Sequence, residues 1–79
     1  MPLKILLVED EPALLLTLSE ALTEAGHSVT RCAVGSVAAG LLRDAVFDLL
    51  VTDIRLPRVD GCTLAGLARD RPVPIPVVL

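Results

Sequence analysis

Short apolar runs alternate along this chain with amphipathic stretches, and two of those runs give way directly to acids. Residues 3–8 form a short, mostly apolar run that is too brief for a helix and is followed at once by polar residues, so it reads as a buried strand. Glu11-Pro12 then opens a helix, with Pro in the first turn where its missing N–H costs nothing. Leu14, Leu18, Ala21, Leu22 and Ala25 recur at i, i+4, i+7, i+8 and i+11, the spacing of one helical face. Gly26 is placed to end that helix as the C′ residue. Residues 28–33 carry Val29 and Cys32 among polar neighbours, a weak period-two pattern suited to a sheet edge.

Ser36 is the expected N-cap of a second helix, whose stripe is Val37, Leu41 and Ala45 with Ala38 and Leu42 beside it. Phe47-Asp48 leads into a continuous strand over residues 49–52. Residues 54–61 read as a loop, because Pro57 interrupts any regular element and Asp60-Gly61 is a turn signal. A third, short helix is expected over residues 63–69. Pro72, Pro74 and Pro76 force an extended connection into Val77-Val78-Leu79, which has the character of a fourth strand just beginning. The order β-α-β-α-β-α-β, with right-handed crossovers, predicts a parallel sheet covered by helices on both faces.

Composition narrows the chemistry. The 79 residues allow one small domain, and a chain this short buries only about 60% of its unfolded surface. With 53% hydrophobic residues and Phe47 as the only aromatic, the core must be aliphatic, which suits strands buried on both faces. A formal net charge of −3 argues against a nucleic-acid surface, and Arg55, Arg58, Arg69 and Arg71 are too interleaved with acids to form a basic stripe. Cys32 and Cys62 lack CxxC spacing and a nearby His pair, so they read as buried free thiols. His27, just past Gly26, reads as a loop residue. The first residues lack a signal peptide's apolar core and no stretch approaches the 18 apolar residues of a membrane span, so no membrane association and a cytoplasmic location are expected.

The acids carry the functional signal. Glu9 and Asp10 close the first strand and Asp53 closes the third, so neighbouring parallel strands would crowd all three at one sheet edge. That edge is where open α/β sheets bind ligands. Two ionised carboxylates held roughly 4 Å apart repel by about 4 kcal/mol at an effective dielectric near 20. A hard divalent cation offsets this most directly, and Mg²⁺ takes one or two carboxylates, keeps several waters and bridges to a phosphoryl oxygen. The three acids thus read as a Mg²⁺ and phosphoryl site.

Leu6-Leu7-Val8-Glu9-Asp10-Glu11, Asp53-Ile54-Arg55-Leu56-Pro57 and Asp60-Gly61 together resemble the receiver domain of bacterial response regulators, over residues 4–79. An acid pair is joined to a lone Asp 43 positions after Asp10, with Pro at +4 and Gly at +8, a combination far more specific than any one motif. The resemblance implies a flavodoxin-like doubly wound parallel sheet ordered 2-1-3-4-5, of which this chain supplies about four strands and three helices. Residues 1–79 are then the N-terminal portion of a receiver domain. It implies Asp53 as phosphoacceptor from the phosphohistidine of a partner histidine kinase. It implies Asp10 and Asp53 as Mg²⁺ ligands, Glu9 as an acid holding the metal through water, and the backbone carbonyl of Arg55 as a further oxygen. Pro57 and Gly61 shape the loop beneath the site, and Glu11 is a helix-start acid favoured by the dipole.

The family's Ser or Thr after strand four and Lys after strand five have no counterpart before Leu79, so a truncated receiver is expected, and one that labels poorly by itself. Mg²⁺-dependent self-phosphorylation is expected only of the complete domain, and no separate enzymatic activity is implied. The competing expectation is a phosphorylation-incompetent fragment that pairs with itself or sequesters a kinase. An uncovered fourth-strand edge and an apolar flank on the first helix favour such self-association. A haloacid-dehalogenase-like phosphatase is disfavoured, since it needs a second Asp two residues after Asp53 and position 55 is Arg.

Overall fold

A computed structural model describes residues 2–53, 61–70 and 76–78, apart from the side chains of residues 61 and 62. The apolar runs become β1 (Lys4–Val8), β2 (Ser28–Cys32), β3 (Leu49–Thr52) and β4 (Val77–Val78), and the amphipathic stretches become α1 (Pro12–Glu24), α2 (Gly35–Asp44) and α3 (Gly61–Arg69). The strands form one parallel sheet ordered β2-β1-β3-β4, with Val8 opposite Cys32 on one side and Thr52 on the other. As its weak pattern predicted, β2 is an edge strand. Its residues are mostly exposed, whereas Ile5, Leu6, Leu7 and Val8 of central β1 are all buried. The flavodoxin-like α/β expectation is met by these four parallel strands and three helices.

Side chains divide the sheet into two faces because successive strand residues point in opposite directions. Leu6, Val8 and Leu50 meet Ala38, Ala39 and Leu42 of α2 and Leu64 and Ala68 of α3, with Cys32 and Phe47 closing the same core. Cys32 is a buried free thiol, as expected. On the other face, Leu7 and Val51 line a groove with Leu14 and Leu18 of α1. Small residues on α2 let that helix approach the sheet closely, and Phe47, the only Phe, Tyr or Trp of the chain, helps fill the core.

The helices differ from expectation in phase and start. In α1 the arc turned inward is Leu15, Leu18, Ser19 and Leu22, while Leu14, Ala21 and Ala25 are exposed. The triplet Leu14-Leu15-Leu16 offers an apolar residue to any rotation, so contact with β1 and β2 decides it. In α2 the buried row is Ala38, Ala39 and Leu42, and Val37 faces out. Its N-cap is Val34, which makes no side-chain cap bond. Packing Gly35 and Ala38 inward starts the ladder with the Ala38 amide donating to the Val34 carbonyl at 3.1 Å, and Ser36 is left exposed within the first turn. Gly61, expected in the loop, is instead the first residue of α3. A first-turn glycine is tolerated because its N–H has no helical partner to lose, and Leu64 and Ala68 hold the helix on the sheet.

The end of α1 follows its sequence closely. Gly26 has φ of +95°, its amide donates to the Thr23 carbonyl at 3.0 Å, and the His27 amide donates to Leu22 at 3.2 Å, the paired bonds of a Schellman cap. The turn delivers His27 to the start of β1, where its Nδ1 accepts from the Leu3 amide at 3.1 Å. Among the described residues, no helix is long and apolar enough to cross a membrane.

Candidate functional site

Strand register builds the site. Val8 and Thr52 are partners in the β1–β3 ladder, so Glu9 and Asp53 leave the sheet side by side. The Asp53 amide donates to the Val8 carbonyl at 3.2 Å, and the Glu9 amide donates to the Cys32 carbonyl at 3.0 Å. Main-chain bonds to both flanking strands therefore hold the two acid-bearing segments. One carboxylate oxygen from each of Glu9, Asp10 and Asp53 lies within 4.8 Å of the others.

The three acids are not equivalent. Glu9 is buried, Asp53 is partly buried and Asp10 is exposed. Burial pushes the Glu9 carboxyl above its ordinary pKa, and the nearby charges of Asp53 and Asp10 push the same way. The Glu11 amide opposes the shift by donating to Glu9 Oε1 at 3.2 Å. The Glu11 carboxylate turns away to cap α1, accepting from the Ala13 amide at 3.3 Å and the Leu14 amide at 3.0 Å. Its expected place at the helix start is thus a direct N-cap.

Three hard oxygen donors converging at one edge of the sheet fit a hard divalent cation. The spread of up to 4.8 Å suits direct carboxylate ligation combined with a bridging water. Arg55 and Pro57, expected to supply a backbone oxygen and to shape the loop, lie outside the described residues. One interaction was not foreseen: Thr52, buried beneath the acids, donates its hydroxyl to the Asp53 carbonyl oxygen at 3.1 Å. Its signal in the sequence is the single polar residue closing the apolar run of β3.

Known proteins share the sequence and the fold of this chain. The profile of the response regulator receiver domain matches residues 5–79. The transcriptional regulatory protein TcrA of Mycobacterium tuberculosis is 38% identical over 76 residues, which cover 96% of this chain and 30% of TcrA. A response regulator receiver protein from Sinorhizobium medicae superposes with a TM-score of 0.89 at 38% identity, covering 96% of this chain and 63% of that one. The response regulator TrrA of Thermotoga maritima, solved in complex with Mg²⁺-BeF, gives a TM-score of 0.80 at 33% identity, covering 87% of this chain and 59% of that one. The chain thus spans about a third of TcrA and under two thirds of these solved chains. Over residues 5–79, from β1 onward, this chain belongs to the response regulator receiver domain family.

Proposed function

We propose that this chain works as a phosphoacceptor receiver in two-component signalling, with Asp53 taking a phosphoryl group from the phosphohistidine of a histidine kinase. The observation that carries the reading is the convergence of Glu9, Asp10 and Asp53 oxygens within 4.8 Å at one sheet edge. A carboxylate oxygen of Asp53 forms the new O–P bond while the N–P bond of the phosphohistidine breaks, and the imidazole leaves with the electron pair. Asp10 and Asp53 would hold Mg²⁺ directly and Glu9 through water, with the Arg55 carbonyl as a further oxygen. When bound, Mg²⁺ supplies the positive charge that offsets the equatorial phosphoryl oxygens. TrrA, solved with Mg²⁺-BeF, supports the ligand class. A kinase partner, a cytoplasmic location and the absence of a separate enzymatic activity belong to the same reading.

Mg²⁺ titration followed by NMR should reveal one weak site that Asp10→Asn abolishes. Any label formed with acetyl phosphate and Mg²⁺ should vanish from the intact mass of Asp53→Asn. Unchanged metal affinity in the first variant, or persistent label in the second, overturns the assignment.

A second reading, self-association without phosphotransfer, is favoured by the apolar groove of about 300 Å³ beside the acids. Leu14 is 43% exposed and Val78 51% exposed along it, and two such flanks would bury each other in a dimer. Sedimentation at micromolar concentration should show a dimer or larger species, and a monomer rejects this reading.

A further inference from the structure

We infer that Thr52 is a positioning residue for the acid site: its buried hydroxyl, by bonding the Asp53 carbonyl, sets the backbone from which the Asp53 carboxylate projects. The inference rests on the reading of the acids as a Mg²⁺ and phosphoryl centre. Thr52 closes β3 and is 3% exposed. It lies opposite Val8 and shares the sheet face of Leu50, which joins Val8 and Leu64 in the core. In that setting Val has the same shape and carries no hydroxyl to desolvate, so packing by itself favours Val over Thr. The hydroxyl has a specific acceptor instead, the carbonyl oxygen of the next residue at 3.1 Å.

That bond closes a small ring through the Thr52 side chain and the Asp53 main chain, which restricts the Asp53 φ and ψ. The Asp53 amide is already tied to the Val8 carbonyl at 3.2 Å. Both main-chain polar groups of Asp53 are therefore engaged, one with Val8 across the ladder and one with the side chain of the preceding residue. A carboxylate on so short a side chain goes where its Cα and Cβ point. A hydroxyl that merely satisfied itself would affect stability and leave metal affinity alone, which gives a test.

Thr52→Val, Thr52→Ser and Asp53→Asn are compared with the wild-type chain by Mg²⁺ titration, by thermal melting and by the ¹³C carbonyl shift of Asp53. Partners that orient metal ligands typically change affinity by 10-fold or more when removed, so Thr52→Val should weaken Mg²⁺ by roughly tenfold. Its Asp53 carbonyl should shift upfield while melting stays near the wild-type value. Thr52→Ser, which keeps the donor, should retain both the affinity and the shift. Thr52→Ala serves as a second hydroxyl-free chain if the Val variant does not fold. Wild-type Mg²⁺ affinity in a folded hydroxyl-free variant overturns the positioning role. A wild-type chain without any Mg²⁺ response, or one that Asp53→Asn leaves unchanged, instead overturns the site reading beneath it.

Discussion

Lys4 and Asp48 exchange two hydrogen bonds: the Asp48 amide donates to the Lys4 carbonyl at 2.7 Å, and Asp48 Oδ2 accepts from the Lys4 amide at 2.8 Å. On the other side of β1 the Ser28 amide donates to the Leu3 carbonyl at 2.8 Å, and His27 Nδ1 accepts from the Leu3 amide at 3.1 Å. The residues that introduce β2 and β3 thus hold the start of the central strand from both flanks. Register set here carries along β1 to the acids at its far end.

Asp48→Ala should therefore destabilise the fold by about 1 kcal/mol, the net worth of one such hydrogen bond. Asp48→Asn keeps an acceptor oxygen and should recover most of the loss. Urea unfolding of the two variants decides it, and equal damage from both would assign the effect to charge instead of to the bond.

Glu11 caps α1 with a side chain longer than the preferred Ser, Thr, Asp or Asn, and still reaches two amides. Removing it in Glu11→Ala should cost roughly 1 kcal/mol of stability. Mg²⁺ affinity should stay at the wild-type level, because this carboxylate faces the helix and the amide that supports Glu9 remains. A marked loss of affinity would bring Glu11 into the metal site.

What the sequence made legible was the part fixed by uninterrupted pattern. The apolar runs of β1 and β3, each followed by acid, place Glu9, Asp10 and Asp53 at one sheet edge by pattern alone. Gly26 marked the end of α1 because only a residue at ease with positive φ closes that turn so simply. The phase of α1 was hidden because three consecutive leucines fit every rotation, and the tertiary contact through Leu15, Leu18 and Ser19 settled it. Ser36 misled because a good capping residue is equally comfortable exposed in a first turn. The bond from Thr52 to Asp53 escaped notice because a Thr ending a strand is ordinary by propensity, and its partner is a carbonyl that no pattern displays.

Leu64 is fully buried and ties α3 to the face formed by Leu6, Val8 and Leu50. Leu64→Ala removes that anchor and leaves a cavity, at a cost of about 2–5 kcal/mol. A small domain has little more than that to lose. Circular dichroism should show the variant largely unfolded or melting far below wild type. Exposed Leu16 provides the control, since Leu16→Ala should move stability by no more than about 0.5 kcal/mol. Similar behaviour of the two variants would contradict the placement of α3.

The raised pKa of Glu9 gives stability a definite sign against pH. Burial and the Asp53 and Asp10 charges make the folded chain hold the Glu9 proton more tightly than the unfolded chain does. The stabilisation linked to that proton is fully present below the unfolded carboxylate pKa and is lost as pH rises through the folded value. Ionised Glu9 is thus a burden on the metal-free fold at neutral pH. Glu9→Gln, which keeps the shape and an acceptor for the Glu11 amide, should be more stable than wild type at pH 7, and the difference should shrink on acidification through the Glu9 titration. Mg²⁺ should reverse the ranking at neutral pH, stabilising wild type more than the variant, because the cation takes over the proton's role in offsetting the clustered charge. Urea unfolding at several pH values, with and without Mg²⁺, measures both effects. A Gln variant less stable than metal-free wild type at pH 7 would show that Glu9 is held by attraction and not against repulsion.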